Sequence, residues 1–378
     1  MRQELEQTIN AVCKQLFNIE AVVELTRPDE QFGDYATNVA LQLAKQVGKN
    51  PREVAEAIRA QLSHEAIATT DIAGPGFLNL HLTDTALVQT ASQQPSRSLE
   101  GKQVVAEYSD PNPFKVLHAG HLYTSIVGDG IASLLELAGA SVHKVNFGGD
   151  VGLHVGKTMY VVLQRLGGDR PDKLADVPEA ERSEWLASAY VEGTNLYEDN
   201  EAAKAEIITL NKRVYQLHNE DDHNSPFAHI YWTTRQWSYD YFNAFYARIG
   251  TKFEKYYPES ETADLGLQTV KEHIDTVYQE SDGAIVFKGE PYGLHTRVFI
   301  NSEGLPTYEA KDVGLIMKKW QDYHFDRSVV ITGNDIVEYM KVVLKSIEQF
   351  EPELVAATTN LTHGKVKLAV CAKMSSRQ

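Results

Sequence analysis

The sequence has very little cysteine, no long apolar run and no excess of positive charge. Only two cysteines, Cys13 and Cys371, occur in 378 residues, and their spacing rules out a CxxC-type zinc site and allows one bridge at most. No apolar run is long enough to cross a bilayer. The net charge of −16 excludes a protein that coats nucleic acid non-specifically, although a local basic patch stays possible. We expect reduced thiols, no structural zinc and no membrane contact.

The N-terminus carries no targeting segment. The stretch MRQELEQTINAVCKQLFNIE reads as an amphipathic helix with acidic residues, which is typical of neither a signal peptide nor a transit peptide. We therefore expect a cytoplasmic protein. The length predicts two or three domains, and a hydrophobic fraction of 43% with 23% charged residues is that of an ordinary globular protein.

The first 95 residues predict a small α+β module. A helix comes first, and Asn50-Pro51 marks the start of another helix with proline in its first turn. The stretch IAGPGFLNLHL (72–82) has a Gly-Pro-Gly break followed by strand-like alternation. A polar linker at 91–102 separates this module from the rest of the chain. We place the two domains at 1–95 and 96–378.

From residue 103 the pattern is that of an open parallel sheet. QVVAEYS (103–109) predicts a strand, HLYTSIVGDGIASLLELAGA (121–140) a helix and SVHKVNFGGD (141–150) a second strand, which together make one βαβ unit. We interpret about 166–295 as one long insertion, whose aromatic stretch IYWTTRQWSYDYFNAFYARIG packs a helix face on a core. Sheet-and-helix alternation returns at 328–350.

The stretch HAGH is the first candidate for chemistry. His118 and His121 follow the first strand of the sheet and precede a helix, where free N–H groups can bind a phosphate. A metal site would need a third ligand at a known spacing, and Gly156-Lys157-Thr158 is not a P-loop because Val151 stands where glycine is required. The residues alone leave phosphate binding and plain helix capping open. Near the chain end, Lys373 stands with Ser375 and Ser376 in AKMSSRQ, and paired with HAGH it favours phosphate binding.

Together these motifs resemble those of the class I aminoacyl-tRNA synthetases, HAGH being similar to HIGH and KMSS to KMSKS. EYSDPNPFKVLHAGH (107–121) resembles the arginyl version, E-(Y/F)-S-S-P-N-x-x-K-P-(L/F)-H-x-G-H. GLPTYEAKDVGL (304–315) resembles G-x-x-T-Y-x-x-x-D-(I/V)-(A/G) of the same family. FGDYATNVALQLAK (32–45) and AGPGFLNLHL (73–82) resemble the additional N-terminal domain of arginyl enzymes, which touches the tRNA elbow.

The resemblance implies a fold and a function. The fold is α/β: a Rossmann-like (HUP-type) catalytic domain with a parallel sheet and a long insertion, preceded by the small α+β domain. The function is that of an arginine–tRNA ligase, which activates L-arginine with ATP to arginyl-adenylate and transfers arginine to the 3′ end of tRNA(Arg). Mg²⁺ would accompany ATP, with no metal held by protein ligands, and we expect a monomer. Arginyl enzymes continue into an anticodon-binding domain. We expect this chain to be truncated before it and to have weak or no aminoacylation.

The resemblance also implies roles for single residues. Glu107 and Asp312 would hold the guanidinium of arginine with the hydroxyl of Tyr308, a geometry that suits its planar fork of donors. The arginine-binding set is Glu107, Asn112, Tyr308, Asp312 and Asn334. The catalytic set is His118, His121, Lys115 and Lys373. The ATP-binding set is His118, Gly120, His121, Lys373, Ser375 and Ser376.

Two other functions stay open. Another HxGH nucleotidyltransferase would not account for Tyr308, Asp312 or the first module. A non-catalytic tRNA-binding paralogue would have no reason to retain the histidine pair with Asn112 and Lys373. The chain also departs from the family pattern: Val116 replaces proline and Tyr123 arginine, while Asn334 and Glu338 stand where glutamine and histidine are usual. The usual Phe-Gly-Met is absent after the His of LTHGK.

Overall fold

The computed structural model describes residues 1–92 and 96–364. The chain divides into two compact units, Met1–Pro95 and Ser96–Gln378. Cys371, Lys373, Ser375 and Ser376 lie outside the described residues. No helix within the described ranges is long and apolar enough to span a bilayer.

The first unit packs helices on a small antiparallel sheet. Its elements are α1 (Arg2–Phe17), β1 (Tyr35–Thr37), α2 (Val39–Val47), α3 (Pro51–Gln61), β2 (Ile67–Ala73), β3 (Phe77–Leu82) and α4 (Asp84–Ser92). The strand order is β1-β3-β2, with both pairs antiparallel. The side chain of Asn50 accepts the N–H of Arg52, so α3 begins where the Asn-Pro pair predicts. One buried core, which includes Leu5, Val39 and Leu80, belongs to this unit alone.

The second unit is built on a five-stranded parallel sheet. The strands of the whole unit are β4 (Gln103–Glu107), β5 (Ser141–Gly148), β6 (Lys255–Pro258), β7 (Gln279–Ser281), β8 (Ala284–Phe287), β9 (Arg297–Ile300), β10 (Arg327–Gly333) and β11 (Thr358–His363). The main sheet has the order β11-β10-β4-β5-β6, and all four pairs are parallel. In chain order the strands extend from β4 to β5 and β6 on one side, and β10 and β11 then follow on the other side of β4. This is the doubly wound arrangement, and its switch point lies between β4 and β10.

Helices cover both faces of this sheet. The helices of this unit are α5 (Ala119–Leu137), α6 (Leu153–Leu166), α7 (Arg182–Asp199), α8 (Glu201–Asn219), α9 (Pro226–Ile249), α10 (Glu259–Glu272), α11 (Tyr308–Tyr323), α12 (Val337–Glu348) and α13 (Pro352–Ala357), and α6 to α9 form a core of their own. Val104 and Ala106 pack in one core with Ala132 of α5. Val105 packs in another core, with Val313 of α11 and Val343 of α12. Alternate side chains of β4 thus fill opposite layers, and the three central residues of the strand are apolar.

The span of about 166–295 is not one uninterrupted insertion. It contains β6, the edge strand that pairs with β5, so the expectation of a single insertion needs correction. Helices α7 to α9 precede β6, and the antiparallel sheet β7-β8-β9 follows it. Because β6 has only four residues, Lys-Tyr-Tyr-Pro, it shows no alternating pattern that sequence reading could detect. The stretches GAIVFKGE (283–290) and HTRVFINSEG (295–304) contain β8 and β9, which pair antiparallel.

Two glycines let α10 and α11 touch backbone to backbone. A Cβ at Gly266 would overlap the carbonyl group of Ala310, and a Cβ at Gly314 would overlap the carbonyl oxygen of Thr262. Glycine is therefore required at both positions. This contact sets the position of α11, the helix that carries Tyr308 and Asp312.

Candidate active site

A cavity of about 630 Å³ opens at the switch point of the sheet, between β4 and β10. It lies at the carboxyl ends of β4 and β10, the position where α/β sheets bind ligands. Its wall includes residues of the β4–α5 loop, α5, α11 and the segment that follows β10. The predicted residues found in the wall are Glu107, Asn112, His121, Tyr308 and Asp312.

The HAGH stretch forms the start of α5. Nδ1 of His118 accepts the N–H of Gly120 at 3.1 Å, and Nδ1 of His121 accepts the N–H of His118 at 3.2 Å. The two rings stack with centroids 3.9 Å apart. A Cβ at Gly120 would lie 2.8 Å from Cε1 of His118, so glycine is needed beneath this ring. The capping interpretation is correct for the Nδ1 atoms, which accept the two backbone N–H groups.

The cap also determines the tautomer of each histidine. Burial lowers the pKa of His121 to about 3, with the neighbouring His118 and Lys115 acting in the same direction, so His121 is neutral at pH 7. A neutral imidazole whose Nδ1 accepts a hydrogen bond carries its proton on Nε2. Nδ1 of His118 also accepts a backbone N–H, which places a ring proton on its Nε2. The stacked pair therefore carries two Nε2–H donors at a helix N-terminus, a suitable arrangement for an anion.

The loop between β4 and α5 is held in a strained conformation. Ser109, Asp110 and Phe114 have positive φ values of 79°, 48° and 66°, which side-chain-bearing residues rarely adopt. Each is fixed by a hydrogen bond: Ser109 Oγ with the hydroxyl of Tyr246, Asp110 Oδ1 from the N–H of Phe147, and the N–H of Phe114 to Ser238 Oγ. Two of the three partners lie on α9, so this helix supports the cavity wall.

Four carboxylates line the cavity, Glu107, Asp110, Asp312 and Asp335, and a buried lysine pairs with one of them. Glu107 is only 4% exposed and forms an ion pair with Lys319 of α11, which is fully buried. Asp312 accepts the hydroxyl of Tyr339. Asp110 and Asp335 are the other two carboxylates in the wall. The structure thus gives Glu107 a partner within the protein, where the sequence predicted only the substrate guanidinium.

Burial makes two of these carboxylates difficult to ionise. It raises the pKa of Asp312 to about 7, and the nearby Glu107 adds to the rise against the hydrogen bond from Tyr339. Burial also raises the pKa of Asp110 well above its usual value, again with Glu107 nearby. A cation in the cavity would stabilise the charged form of both groups.

Asn112 is oriented by the turn after β5. Its Oδ1 accepts the N–H of Gly149 at 2.7 Å, and Nε2 of His154 donates to the carbonyl oxygen of Gly149 at 2.7 Å. With Oδ1 engaged, the amide N–H₂ of Asn112 is the group left for a ligand. Gly149 has no room for a side chain, because a Cβ would lie 2.8 Å from Oδ1 of Asn112.

Asp150 joins three elements behind this turn. The carboxylate is fully buried and accepts the Nε–H of Arg235 on α9 at 3.0 Å. It also accepts the N–H and the hydroxyl of Ser260, at 2.9 Å and 2.7 Å, in the first turn of α10. Glu259, which precedes Ser260 in α10, forms a buried ion pair with Lys311 of α11 at 2.8 Å. These contacts hold α9, α10 and α11 around the cavity.

The other predicted residues lie at the margin or outside the described range. Nζ of Lys115 lies 5.1 Å from the ring centroid of Tyr190. Tyr308 is 63% exposed. Asn334 is exposed in the short turn after β10, and its neighbours Gly333 and Asp335 line the cavity instead. Within residues 1–92 and 96–364, no group of three His, Cys, Asp or Glu side chains could hold a metal ion.

Sequence reading missed several residues that complete the site. Lys319 and Lys318 look like a solvated pair near a helix end, yet Lys319 is fully buried. A buried Glu107 requires a counter-ion, and this is the one indication of Lys319. The sequence does not show that Glu107 is buried. Tyr339 and Asp150 gave no local signal, because their partners are 27 and 110 residues away in the chain.

A doubly wound parallel sheet with a cavity at its reversal point and two Nε2–H donors at a helix start defines an α/β protein of the nucleotide-binding class. The family model described as "tRNA synthetases class I (R), catalytic domain" matches residues 82–377, well over half of the chain. The chain therefore belongs to the arginyl family of class I tRNA synthetases. The model of the "Arginyl tRNA synthetase N terminal domain" matches residues 1–82.

Individual proteins agree with this assignment. The chain is 26% identical to an arginine–tRNA ligase of Amoebophilus asiaticus, over 99% of this chain and 66% of that protein. It is 27% identical to that of Treponema denticola, over 98% of this chain and 63% of that protein. The chain thus spans somewhat less than two thirds of these relatives' length.

Solved structures show the same fold. The arginyl-tRNA synthetase of Plasmodium falciparum superposes with a TM-score of 0.71 at 20% identity, covering 96% of this chain and 65% of that one. The arginyl-tRNA synthetase of Thermus thermophilus gives 0.67 at 21% identity, covering 99% of this chain and 68% of that one.

Proposed function

We propose that the chain carries the arginine-activating centre of an arginine–tRNA ligase. The activity is formation of arginyl-adenylate from L-arginine and ATP, followed by transfer of arginine to the 3′ end of tRNA(Arg). The observation that carries the proposal is one cavity whose wall holds both a carboxylate cluster and His121 of the stacked histidine pair. Carboxylates suit a cationic amino acid, and Nε2–H donors at a helix start suit a phosphate.

The guanidinium of arginine is assigned to Asp312 and Glu107. Lys319 engages Oε2 of Glu107, so Glu107 accepts from the substrate through its other oxygen. Asp312 lies in the first turns of α11, beside Tyr308 at the cavity rim. A planar cation with five N–H donors can satisfy both carboxylates at once. The amide of Asn112 is assigned to the α-amino and carboxylate end of the substrate.

The chemical step needs no protein nucleophile. The arginine carboxylate attacks the α-phosphorus of ATP, the bond to the bridging oxygen breaks, and pyrophosphate leaves. The stacked His118 and His121 donate Nε2–H to the phosphate oxygens, and Gly120 leaves the space that this arrangement needs. Catalysis is then positioning plus stabilisation of negative charge.

The remaining partners of the nucleotide follow from the family resemblance. Lys115, with Lys373, Ser375 and Ser376 beyond the described residues, is assigned to the phosphates. Mg²⁺ enters with ATP and is held through the phosphates, as is usual for this ion. Asn334 is retained as a candidate contact to arginine through movement of the turn after β10.

The first unit is assigned to tRNA. Residues 1–95 are proposed as the additional domain that touches the tRNA elbow, and 96–378 as the catalytic domain. Support comes from the family match over 1–82 and from the separate core of this unit. We propose a cytoplasmic monomer.

The test combines two assays on this chain. Arginine-dependent exchange of pyrophosphate into ATP, measured with tRNA(Arg) present, reports adenylate formation, and gel retardation reports tRNA binding. Exchange that requires arginine supports the proposal. Retardation of tRNA(Arg) without any exchange, in a chain extended through an anticodon-binding domain, would instead favour the non-catalytic tRNA-binding paralogue. Exchange that proceeds without arginine would favour another HxGH nucleotidyltransferase.

A further inference from the structure

The buried pair of Lys311 and Glu259 has a third member on the helices that precede β6. Lys311 and Glu259 are 5% and 3% exposed, and Nζ of Lys311 donates to Oε2 of Glu259 at 2.8 Å. The same Nζ donates to the hydroxyl of Tyr215 on α8 at 3.1 Å. The ammonium is therefore held between acceptors on two different helices, α10 and α8, in a buried place where an unmet charge would be costly.

The ring of Tyr308 lies over this ammonium. Tyr308 and Lys311 are three residues apart and share one face of α11. The ring centroid of Tyr308 lies 5.2 Å from Nζ of Lys311, within the range of cation–π attraction. Tyr308 is 63% exposed, so packing covers only part of the ring. A fixed ammonium thus restricts where the Tyr308 hydroxyl, the proposed contact to the guanidinium, lies at the cavity rim.

Glu259 also lies against the turn that orients Asn112. A Cβ at Gly149 would be 3.0 Å from Oε1 of Glu259, and the N–H of Gly149 donates to Oδ1 of Asn112. A change at Glu259 or Lys311 would therefore disturb both ends of the proposed arginine site and break a buried ion pair. Tyr215 is the member of this network that can be altered without breaking that pair.

Tyr215 is anchored away from the arginine cavity. Its ring packs against the core that α6 to α9 form, and it lines a separate cavity of about 460 Å³ with Lys212 and Glu303. Tyr308, in contrast, lines the proposed arginine cavity. The Tyr215 hydroxyl is thus a link from the α6–α9 core to the underside of the Tyr308 ring, through Lys311.

We propose that Tyr215 is a positioning residue for Tyr308: its hydroxyl holds the Lys311 ammonium beneath the Tyr308 ring and so strengthens arginine binding without touching the substrate. This inference rests on the proposed function of the cavity. It makes the α6–α9 helices contribute to recognition of the amino acid.

A merely structural role of the Tyr215 hydroxyl can be separated from this one. Tyr215→Phe keeps the ring in its core and leaves the ion pair of Lys311 and Glu259 intact, so the chain should fold. If the hydroxyl only joins α8 to α11, its loss lowers the melting temperature and leaves ligand affinities unchanged. If it positions Tyr308, its loss weakens arginine binding, and only while Tyr308 has a hydroxyl to position.

The experiment is a double-mutant cycle on arginine affinity. Calorimetry with an ATP analogue and Mg²⁺ compares wild type, Tyr215→Phe, Tyr308→Phe and the double variant. We expect Tyr215→Phe to weaken arginine binding about 3- to 10-fold in wild type and less than about twofold in the Tyr308→Phe background. Affinity for the ATP analogue alone should change less than about twofold. Tyr160→Phe, at another tyrosine packed against the same core, is the matched control and should bind arginine as wild type does.

Three outcomes would overturn the inference. A Tyr215→Phe loss that is equally large in the Tyr308→Phe background would show that Tyr215 does not act through Tyr308. Unchanged arginine affinity with a lowered melting temperature would reduce Tyr215 to a structural role. Equal losses for arginine and the ATP analogue would indicate a general disturbance of the cavity. Failure of wild type to bind arginine at all is a different result, since it removes the proposed function on which the inference rests.

Discussion

Each histidine of the HAGH stretch uses its two ring nitrogens differently. Nδ1 accepts a backbone N–H and fixes the first turn of α5, which leaves the proton on Nε2. The low pKa of His121, about 3, keeps this arrangement unchanged over the physiological range. We propose the pair as Nε2–H donors to phosphate oxygens, a role that needs no positive charge on His121.

The first residue-scale prediction concerns His121. His121→Ala removes one Nε2–H donor and one cap acceptor, so arginine-dependent pyrophosphate exchange should fall more than about tenfold while the chain stays folded. His229→Ala, at an exposed histidine of α9, is the matched control and should retain activity. Exchange by His121→Ala within about tenfold of wild type would contradict the assignment to phosphate.

The second residue-scale prediction concerns the way Asp312 makes the stability of the fold depend on pH. Its carboxyl has a pKa of about 7 in the fold and an ordinary pKa near 4 when unfolded. Between these values the folded state holds a proton that the unfolded state has lost, so wild type loses stability as pH rises from about 4 to about 7. Groups that share this environment are Glu107, Glu259, Lys319 and Tyr339.

Asp312→Asn cannot ionise and should escape this loss. Its gain in unfolding free energy over wild type should grow from about pH 4 to about pH 7 and then level off, at an order of a few kcal/mol. Arginine binding should weaken at the same time. Denaturant unfolding across this pH range measures the gain, with Asp264→Asn, an exposed carboxylate of α10, as control. A gain independent of pH would contradict the account.

At the scale of secondary-structure elements, the cavity depends on two helices, α9 and α10, that do not line it themselves. The turn after β5, α9 and α10 converge on Asp150, and α10 holds α11 through Gly266 and Gly314. Asp312 is therefore placed by a backbone contact on the opposite side of its own helix. A small change at that contact should be transmitted to the arginine end of the cavity.

The element-scale prediction compares two glycines in helices. Gly314→Ala should force α10 and α11 apart, lowering stability by about 1–3 kcal/mol and weakening arginine binding. Gly130→Ala in α5 has no atom within 4 Å of the new Cβ and should raise stability by about 0.5–1 kcal/mol. Chemical denaturation midpoints check both values. A harmless Gly314→Ala would show that the helix contact does not position α11.

Whether an element of the fold could be predicted from the sequence depended on whether its signal was local. Elements with local signals were predictable: the βαβ unit of β4, α5 and β5, the start of α3, and the histidine cap. The strand β6 and the pairs Glu107–Lys319 and Asp312–Tyr339 were not, because each depends on contacts between distant parts of the chain. Burial decides these pairs, and a lysine such as Lys319 carries no mark of burial in its own neighbourhood.

At the scale of the whole molecule, the two units carry different parts of the proposed function. Each has its own hydrophobic core, and each matches its own family model. With a net charge of −16, the proposed tRNA contact would be confined to local surfaces. The acidic wall of the cavity, in contrast, suits a small cationic ligand. The central claim is thus that this chain recognises arginine by its positive charge.

The most direct test is the shift in melting temperature with L-arginine and with citrulline, each in the presence of an ATP analogue and Mg²⁺. Citrulline keeps the shape of arginine and lacks the guanidinium charge. A ligand that binds only the folded state stabilises it by RT ln(1 + [L]/Kd), where [L] is the free ligand concentration. The account predicts a clear rise with arginine and none with citrulline. Equal shifts with the two ligands, or no shift with arginine beside a clear response to the ATP analogue, would contradict it.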